Sequence, residues 1–82
     1  MSTTKDDIKL WIKEGQDKGA THMIVVCDTY DWDDYPVYVM PGQDARAEFN
    51  NRNGSNMQKV MEVYNLTKDI DKQLDQHRAM EF

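Results

Sequence analysis

The sequence predicts an α+β fold: a small, three-stranded, mainly antiparallel sheet with helices packed on it, in the order α-β-β-(α)-β-α. Two short apolar runs rich in β-branched residues, 22–27 (HMIVVC) and 35–40 (YPVYVM), favour strands over helices. Segments with the apolar spacing of amphipathic helices stand near both ends of the chain. The 82 residues fit one domain, 1–82, with a core so modest that self-association would add stability.

The first helix is predicted from Thr4 to about Lys18. Thr4 can accept backbone hydrogen bonds as the N-terminal cap, and Gly19 suits the left-handed conformation that often ends a helix. Trp11 is interpreted as an anchor of the core, because buried aromatic side chains dominate small cores. The apolar face of this helix is formed by Ile8, Trp11, Ile12 and Gly15.

The two apolar runs are predicted to form a hairpin, joined by residues 28–34 (DTYDWDD), because aspartate favours turns over strand interiors. Pro36 cannot donate a hydrogen bond to a ladder, so it is expected at the start of the second strand or on a sheet edge. The first strand is apolar on both faces, which is typical of a strand covered on both sides by helices or by a partner subunit. The simplest arrangement packs the helices on one face and leaves the second face to pair with another subunit.

After the hairpin, a turn at Pro41-Gly42 and a short helix at 43–49 are predicted, followed by a loop at 50–56 (NNRNGSN). Residues 57–66 fit two structures. Ser55 could cap a helix there, whereas the valine and tyrosine content favours a strand. We choose the strand, and the helical alternative stays open.

The last helix is predicted from Thr67 to about Met80. Acidic residues stand early in this segment, whereas His77 and Arg78 stand late, which matches the charge preference of the helix dipole.

The composition limits the classes of function. Ten basic against fifteen acidic residues give a net charge of −5, which argues against non-specific binding to nucleic acid or anionic membranes. The chain contains no run of about 20 apolar residues and no apolar signal core, so a cytoplasmic protein is expected. No motif fixes a reaction, so we predict no enzyme, catalytic residue, metal or cofactor. The single cysteine, Cys27, is interpreted as a buried small hydrophobe rather than a nucleophile.

Two runs, 19–29 (GATHMIVVCDT) and 33–39 (DDYPVYV), resemble a family of small uncharacterised proteins of bacteriophages and prophages. Residues 61–66 (MEVYNL) and 76–79 (QHRA) extend the similarity over most of the chain. The resemblance implies a non-structural phage accessory protein that counters host defence, working by binding either a host protein or a nucleotide immune signal. The resemblance assigns no catalytic or binding role to any residue of this sequence.

The first candidate site is the hairpin tip, where aromatic side chains are crowded among acids. Aromatic residues are enriched in binding hot spots, and an exposed tryptophan in a turn indicates a contact surface. The alternative is that Trp32 folds back onto the core. The aspartates do not fit a calcium loop, which needs a glycine at the sixth position and a glutamate at the twelfth. The candidate residues at the tip are Tyr30, Asp31, Trp32, Asp33, Asp34 and Tyr35.

The second candidate feature is a polar, cationic segment after the hairpin that includes Arg46 and Arg52. Arginine can hold phosphate while an aromatic ring stacks on a base, so one hypothesis is a homo-oligomer that sequesters a small nucleotide signal. The alternative hypothesis is an acidic antagonist that docks the hairpin tip into a basic surface of a host enzyme, with Trp32 as the anchor. A metal-dependent hydrolase using the aspartate cluster is a third hypothesis.

Overall fold

A computed structural model of the chain describes residues 4–54, 57–76 and 79–82. Three helices and three strands follow one another in the predicted order α-β-β-α-β-α, which confirms the α+β fold. The elements are α1 (Lys5–Asp17), β1 (His22–Asp28), β2 (Asp33–Val39), α2 (Ala45–Arg52), β3 (Gln58–Asn65) and α3 (Ile70–Asp75).

The sheet is antiparallel and has the strand order β2-β1-β3, so β1 lies in the centre. His22 at the start of β1 pairs with Val39 on one side and with Asn65 on the other. The register with β3 shifts between Val25 and Val26, as in a β-bulge. Pro36 lies on the edge strand β2, as predicted, and residues 58–65 form a strand rather than a helix.

Local sequence signals define α1. The Thr4 side chain accepts from the backbone N–H of Asp7, whose carboxylate accepts from the Thr4 N–H, so both form a capping box. Gly19 has a φ of 79° just after the helix, the left-handed conformation that glycine adopts at low cost. Gly15 is buried because α1 packs closely on the sheet there. A Cβ at this position would lie 2.7 Å from Cε1 of Tyr38.

Helices cover both faces of the sheet, which corrects the expectation that they pack on one face only. One cluster contains side chains of α1, α3 and the first face of the sheet, including Ile8, Ile12, Met23, Val25, Tyr64 and Leu74. Trp11 is partly buried and packs against this cluster, in line with its predicted role. The other cluster contains Ile24, Val26, Val39, Ala45, Val60 and Val63, with Phe49 of α2 and Phe82 packed against it.

The last helix is shorter than predicted and begins later. Asp69, not Thr67, is its N-terminal cap, and the helix ends at Asp75. The Gln73 side chain binds both backbone groups of Asn65, at 2.7 Å to the N–H and 2.9 Å to the carbonyl, and so ties α3 to the end of β3. The predicted late charges, His77 and Arg78, lie outside the described residues.

The C-terminal segment lies parallel to β3 instead of continuing the helix. Met80 forms a parallel bridge with Val63. The Val63 N–H donates to the Ala79 carbonyl at 2.8 Å, and the Glu81 N–H donates to the Val63 carbonyl at 3.0 Å. These bonds occupy part of the outer edge of β3.

Among the described residues, no helix combines the length and the apolar character needed to cross a bilayer; α1, with 13 residues, is the longest.

Candidate functional site: the hairpin tip

The hairpin tip, residues 28–34, is folded by hydrogen bonds between its own groups. The Asp28 carboxylate accepts from the Tyr30 N–H at 2.8 Å, and the Asp28 carbonyl accepts from the Trp32 N–H at 2.7 Å. The Asp31 carboxylate accepts from the Asp33 N–H at 3.1 Å. These are the local side-chain bonds through which aspartate stabilises turns, so the aspartates give the tip its shape.

The tip is also fixed to the beginning of β3. Both the N–H and the hydroxyl of Thr29 donate to the Met57 carbonyl, at 2.7 and 2.9 Å. Trp32 and Met57 each have a φ of 61°, a left-handed conformation that costs non-glycine residues about 1–2 kcal/mol. Strained backbone conformations are enriched at functional sites, so the φ of Trp32 makes the tip a candidate contact surface.

Three large apolar side chains are exposed at this end of the sheet. Tyr30 is 78% exposed, Trp32 is 64% exposed and Met57 is 57% exposed. Trp32 therefore does not fold back onto the core, which decides between the two alternatives that the sequence left open. We call these three side chains the tip patch.

The tip aspartates differ in their environments. Asp31 and Asp33 are exposed beside the tip patch, and the ion pairs found in the described part of the chain involve neither of them. Asp34 is half-buried and hydrogen-bonds to Cys27, whose thiol pKa is raised first by burial and then by this bond. A buried thiol with a raised pKa is a poor nucleophile, which agrees with the structural role predicted for Cys27.

Tyr35 turns away from the tip patch. Its ring is half-buried against the second cluster, and its hydroxyl accepts a hydrogen bond from the Gln58 side chain. Of the three aromatic residues predicted for the site, Tyr30 and Trp32 are thus available to a partner, whereas Tyr35 supports the sheet beneath them.

The two predicted arginines lie apart on α2. Arg46 is in its first turn, with the guanidinium carbon 4.4 Å above the ring of Phe82. Arg52 is at the other end of the helix, with its Nε 3.8 Å from Oε2 of Glu48. Arg52 follows Arg46 by six positions, a rise of about 9 Å along the helix axis, so the two guanidinium groups are not part of one site.

Sequence reasoning missed Met57 as a member of the tip patch, and it missed that the predicted Arg46 lies beside His22 and Phe82. Met57 joins the tip patch only because β3 starts beside the hairpin, and the register that places it there is not visible in the sequence. Arg46, His22 and Phe82 share a groove at the opposite end of the sheet, and those residues are far apart in the sequence. The local sign of Met57's position was the Asn53-Gly54 turn, which comes shortly before the start of β3.

Within the ranges 4–54, 57–76 and 79–82, no three histidine, cysteine, aspartate or glutamate side chains are grouped as metal ligands. Comparisons with protein-family models, with curated proteins and with solved structures found no match to this chain. The resemblance to phage proteins therefore stays a prediction.

Proposed function

We propose that this protein is a non-enzymatic binding protein that docks its hairpin tip into a basic surface of a partner protein. The observation that carries the proposal is the exposure of Tyr30 and Trp32 on a tip whose backbone is held by hydrogen bonds. A tip that is already ordered loses little conformational entropy on binding, so more of the contact energy appears as affinity.

The chemistry of the tip defines the partner surface. Trp32 fits an apolar pocket, and burying such an anchor is typical of binding hot spots. Asp31 and Asp33 favour lysine or arginine side chains around that pocket, and the net charge of −5 steers the chain toward a cationic protein. The phage-type resemblance favours a host enzyme as the partner and the host cytoplasm as the location.

Sequestration of a nucleotide by the tip together with both arginines receives less support. The tip aspartates would repel phosphate, and Arg46 lies at the other end of the sheet from Trp32. A neighbouring subunit can supply the missing arginine only if the chain self-associates, which native mass spectrometry measures directly.

The test is capture of partner proteins by the immobilised chain from a bacterial host lysate. The proposal predicts a cationic partner whose retention falls about 30-fold or more on Trp32→Ala, and also falls on Tyr30→Ala. Added salt weakens the same contact, because exposed charges are screened.

Leu10→Ala is the matched control, since Leu10 is an exposed apolar residue on α1, 55% exposed and outside the tip. Its retention should equal that of the unchanged chain. Circular dichroism shows whether each variant is folded. A partner that is retained equally by the two tip variants and the control would overturn the proposal.

A further inference from the structure

A groove of about 510 Å³ lies at the end of the sheet opposite the hairpin tip. Residues 42–46, at the start of α2, line it together with His22 and Phe82. The length of β1 separates it from the tip by about 20 Å. The groove is broad and open to solvent, so a bound small molecule would stay partly exposed.

Arg46 gives the groove a positive charge that can hold an anion. Its guanidinium stacks on the Phe82 ring, which is itself fixed by an edge-on contact with Phe49 at 5.5 Å between centroids. In the part of the chain that the structure describes, no carboxylate forms an ion pair with Arg46. Stacking occupies the face of the guanidinium, so its N–H edges can bind an oxyanion.

Asp44 also lines the groove, but its carboxylate has a structural role. One oxygen, Oδ1, accepts from the backbone N–H groups of Arg46 and Ala47, at 2.9 and 3.4 Å, and so caps α2. Its negative charge makes the groove mixed in character. A ligand that fits this groove therefore carries hydrogen-bond donors as well as an anionic group.

His22 forms part of the groove wall. The Thr21 hydroxyl donates to the Val39 carbonyl at 3.2 Å, so its oxygen accepts from Nδ1–H of His22 at 2.9 Å. In a neutral imidazole this pattern leaves Nε2 as an acceptor, and Nε2 is buried with no hydrogen-bond partner. Because Nε2 is shielded from solvent, a ligand in the open groove does not reach it.

We propose that this groove binds a mononucleotide-sized molecule that joins an oxyanion to a hydrogen-bond donor. The oxyanion binds the Arg46 guanidinium, and the donor binds the Asp44 carboxylate. The site uses no residue of the hairpin tip, so it is independent of partner docking.

Adenosine monophosphate is the probe, since it carries a phosphate and an amino group, and binding is followed by NMR titration of the ¹⁵N-labelled chain. The proposal predicts saturable shifts at Arg46 and His22. Inorganic phosphate and adenosine, which each carry half of the chemistry, should bind more weakly than the nucleotide. Arg46→Gln should weaken binding about tenfold or more.

Arg52→Gln is the matched control, because Arg52 lies on the same helix but pairs with Glu48 outside the groove. This variant and Trp32→Ala should bind adenosine monophosphate as the unchanged chain does. Three results would each overturn the proposal: shifts that do not saturate, equal affinity for inorganic phosphate, or equal weakening by Arg46→Gln and Arg52→Gln. Each leaves the docking role of the tip untouched.

Discussion

The left-handed backbone at Trp32 predicts that glycine is better tolerated there than alanine. Both Trp32→Gly and Trp32→Ala remove the same side chain, of which about a third is covered. With up to about 250 Å² for a tryptophan and about 25 cal/mol per Å², each variant loses about 2 kcal/mol of burial. This loss cancels when the two variants are compared with each other.

The difference that remains comes from the backbone. A φ of 61° costs alanine about 1–2 kcal/mol and glycine almost nothing, whereas glycine has about 0.4–1 kcal/mol more conformational entropy to lose on folding. We therefore expect Trp32→Gly to be more stable than Trp32→Ala by about 0.5–1 kcal/mol. In a chain of this size that corresponds to about 4 °C in the melting temperature.

Urea denaturation of the two variants measures this difference in the free energy of unfolding. Tyr30 provides the matched pair, because it is exposed on the same tip and is not among the described residues with positive φ. At Tyr30 alanine should stabilise the fold more than glycine, because glycine loses more conformational entropy on folding. Tyr30→Ala is therefore expected to be more stable than Tyr30→Gly. Greater stability of Trp32→Ala than of Trp32→Gly would refute the left-handed conformation of Trp32 and the backbone strain at the tip.

Two further predictions concern the core and the groove. Gly15→Ala gains about 1 kcal/mol of helix propensity but places a Cβ 2.7 Å from a Tyr38 ring that is held by its hydroxyl bond to the Trp11 carbonyl. Overpacking costs about 1–3 kcal/mol, so we expect a net loss of about 1 kcal/mol by thermal denaturation; a gain would show that the ring moves freely. Burial first, and then the charge of Lys68, lower the pKa of His22 from its ordinary 6.5. As the pH falls, the His22 imidazole of the unfolded chain is therefore protonated before that of the folded chain. The contribution of His22 to the free energy of unfolding is fully present above pH 6.5, decreases below it and becomes constant below the folded pKa. His22→Gln should flatten this part of the profile below neutrality; an unchanged profile would contradict the pKa shift.

The elements that the sequence predicts well are those set by local physics. The capping of α1 by Thr4 and the left-handed Gly19 depend on neighbouring backbone groups, and both are present. The choice of a strand for 58–65 was correct because its apolar residues pack on both faces of the sheet beside β1. Pro36 was placed on an edge because it lacks an N–H, whatever the topology.

The errors fall where distant contacts decide the structure. The last helix starts at Ile70 and ends at Asp75 because Gln73 binds the backbone of Asn65 and residues 79–81 pair with β3. Neither contact has a local signature. The covering of the second face by α2 and Phe82 was missed for the same reason, since α2 has only a few apolar residues and its packing depends on the C-terminal segment.

The candidate site was predicted in composition but not in geometry. The exposed pair, Tyr30 and Trp32, could be named from the sequence because they stand in a turn among aspartates. The separation of Arg46 from the tip could not be, because it depends on the direction in which α2 crosses the sheet.

The edges of this sheet are protected against uncontrolled polymerisation. Pro36 has no backbone N–H, so β2 lacks one hydrogen-bond donor at that position. The C-terminal segment occupies the outer side of β3 at Val63. Natural sheets use such devices because a free edge is a template for amyloid-like pairing between chains. Removing residues 79–82 would uncover the β3 edge at Val63 together with the apolar surface under Phe82, and would favour pairing of that edge with another chain.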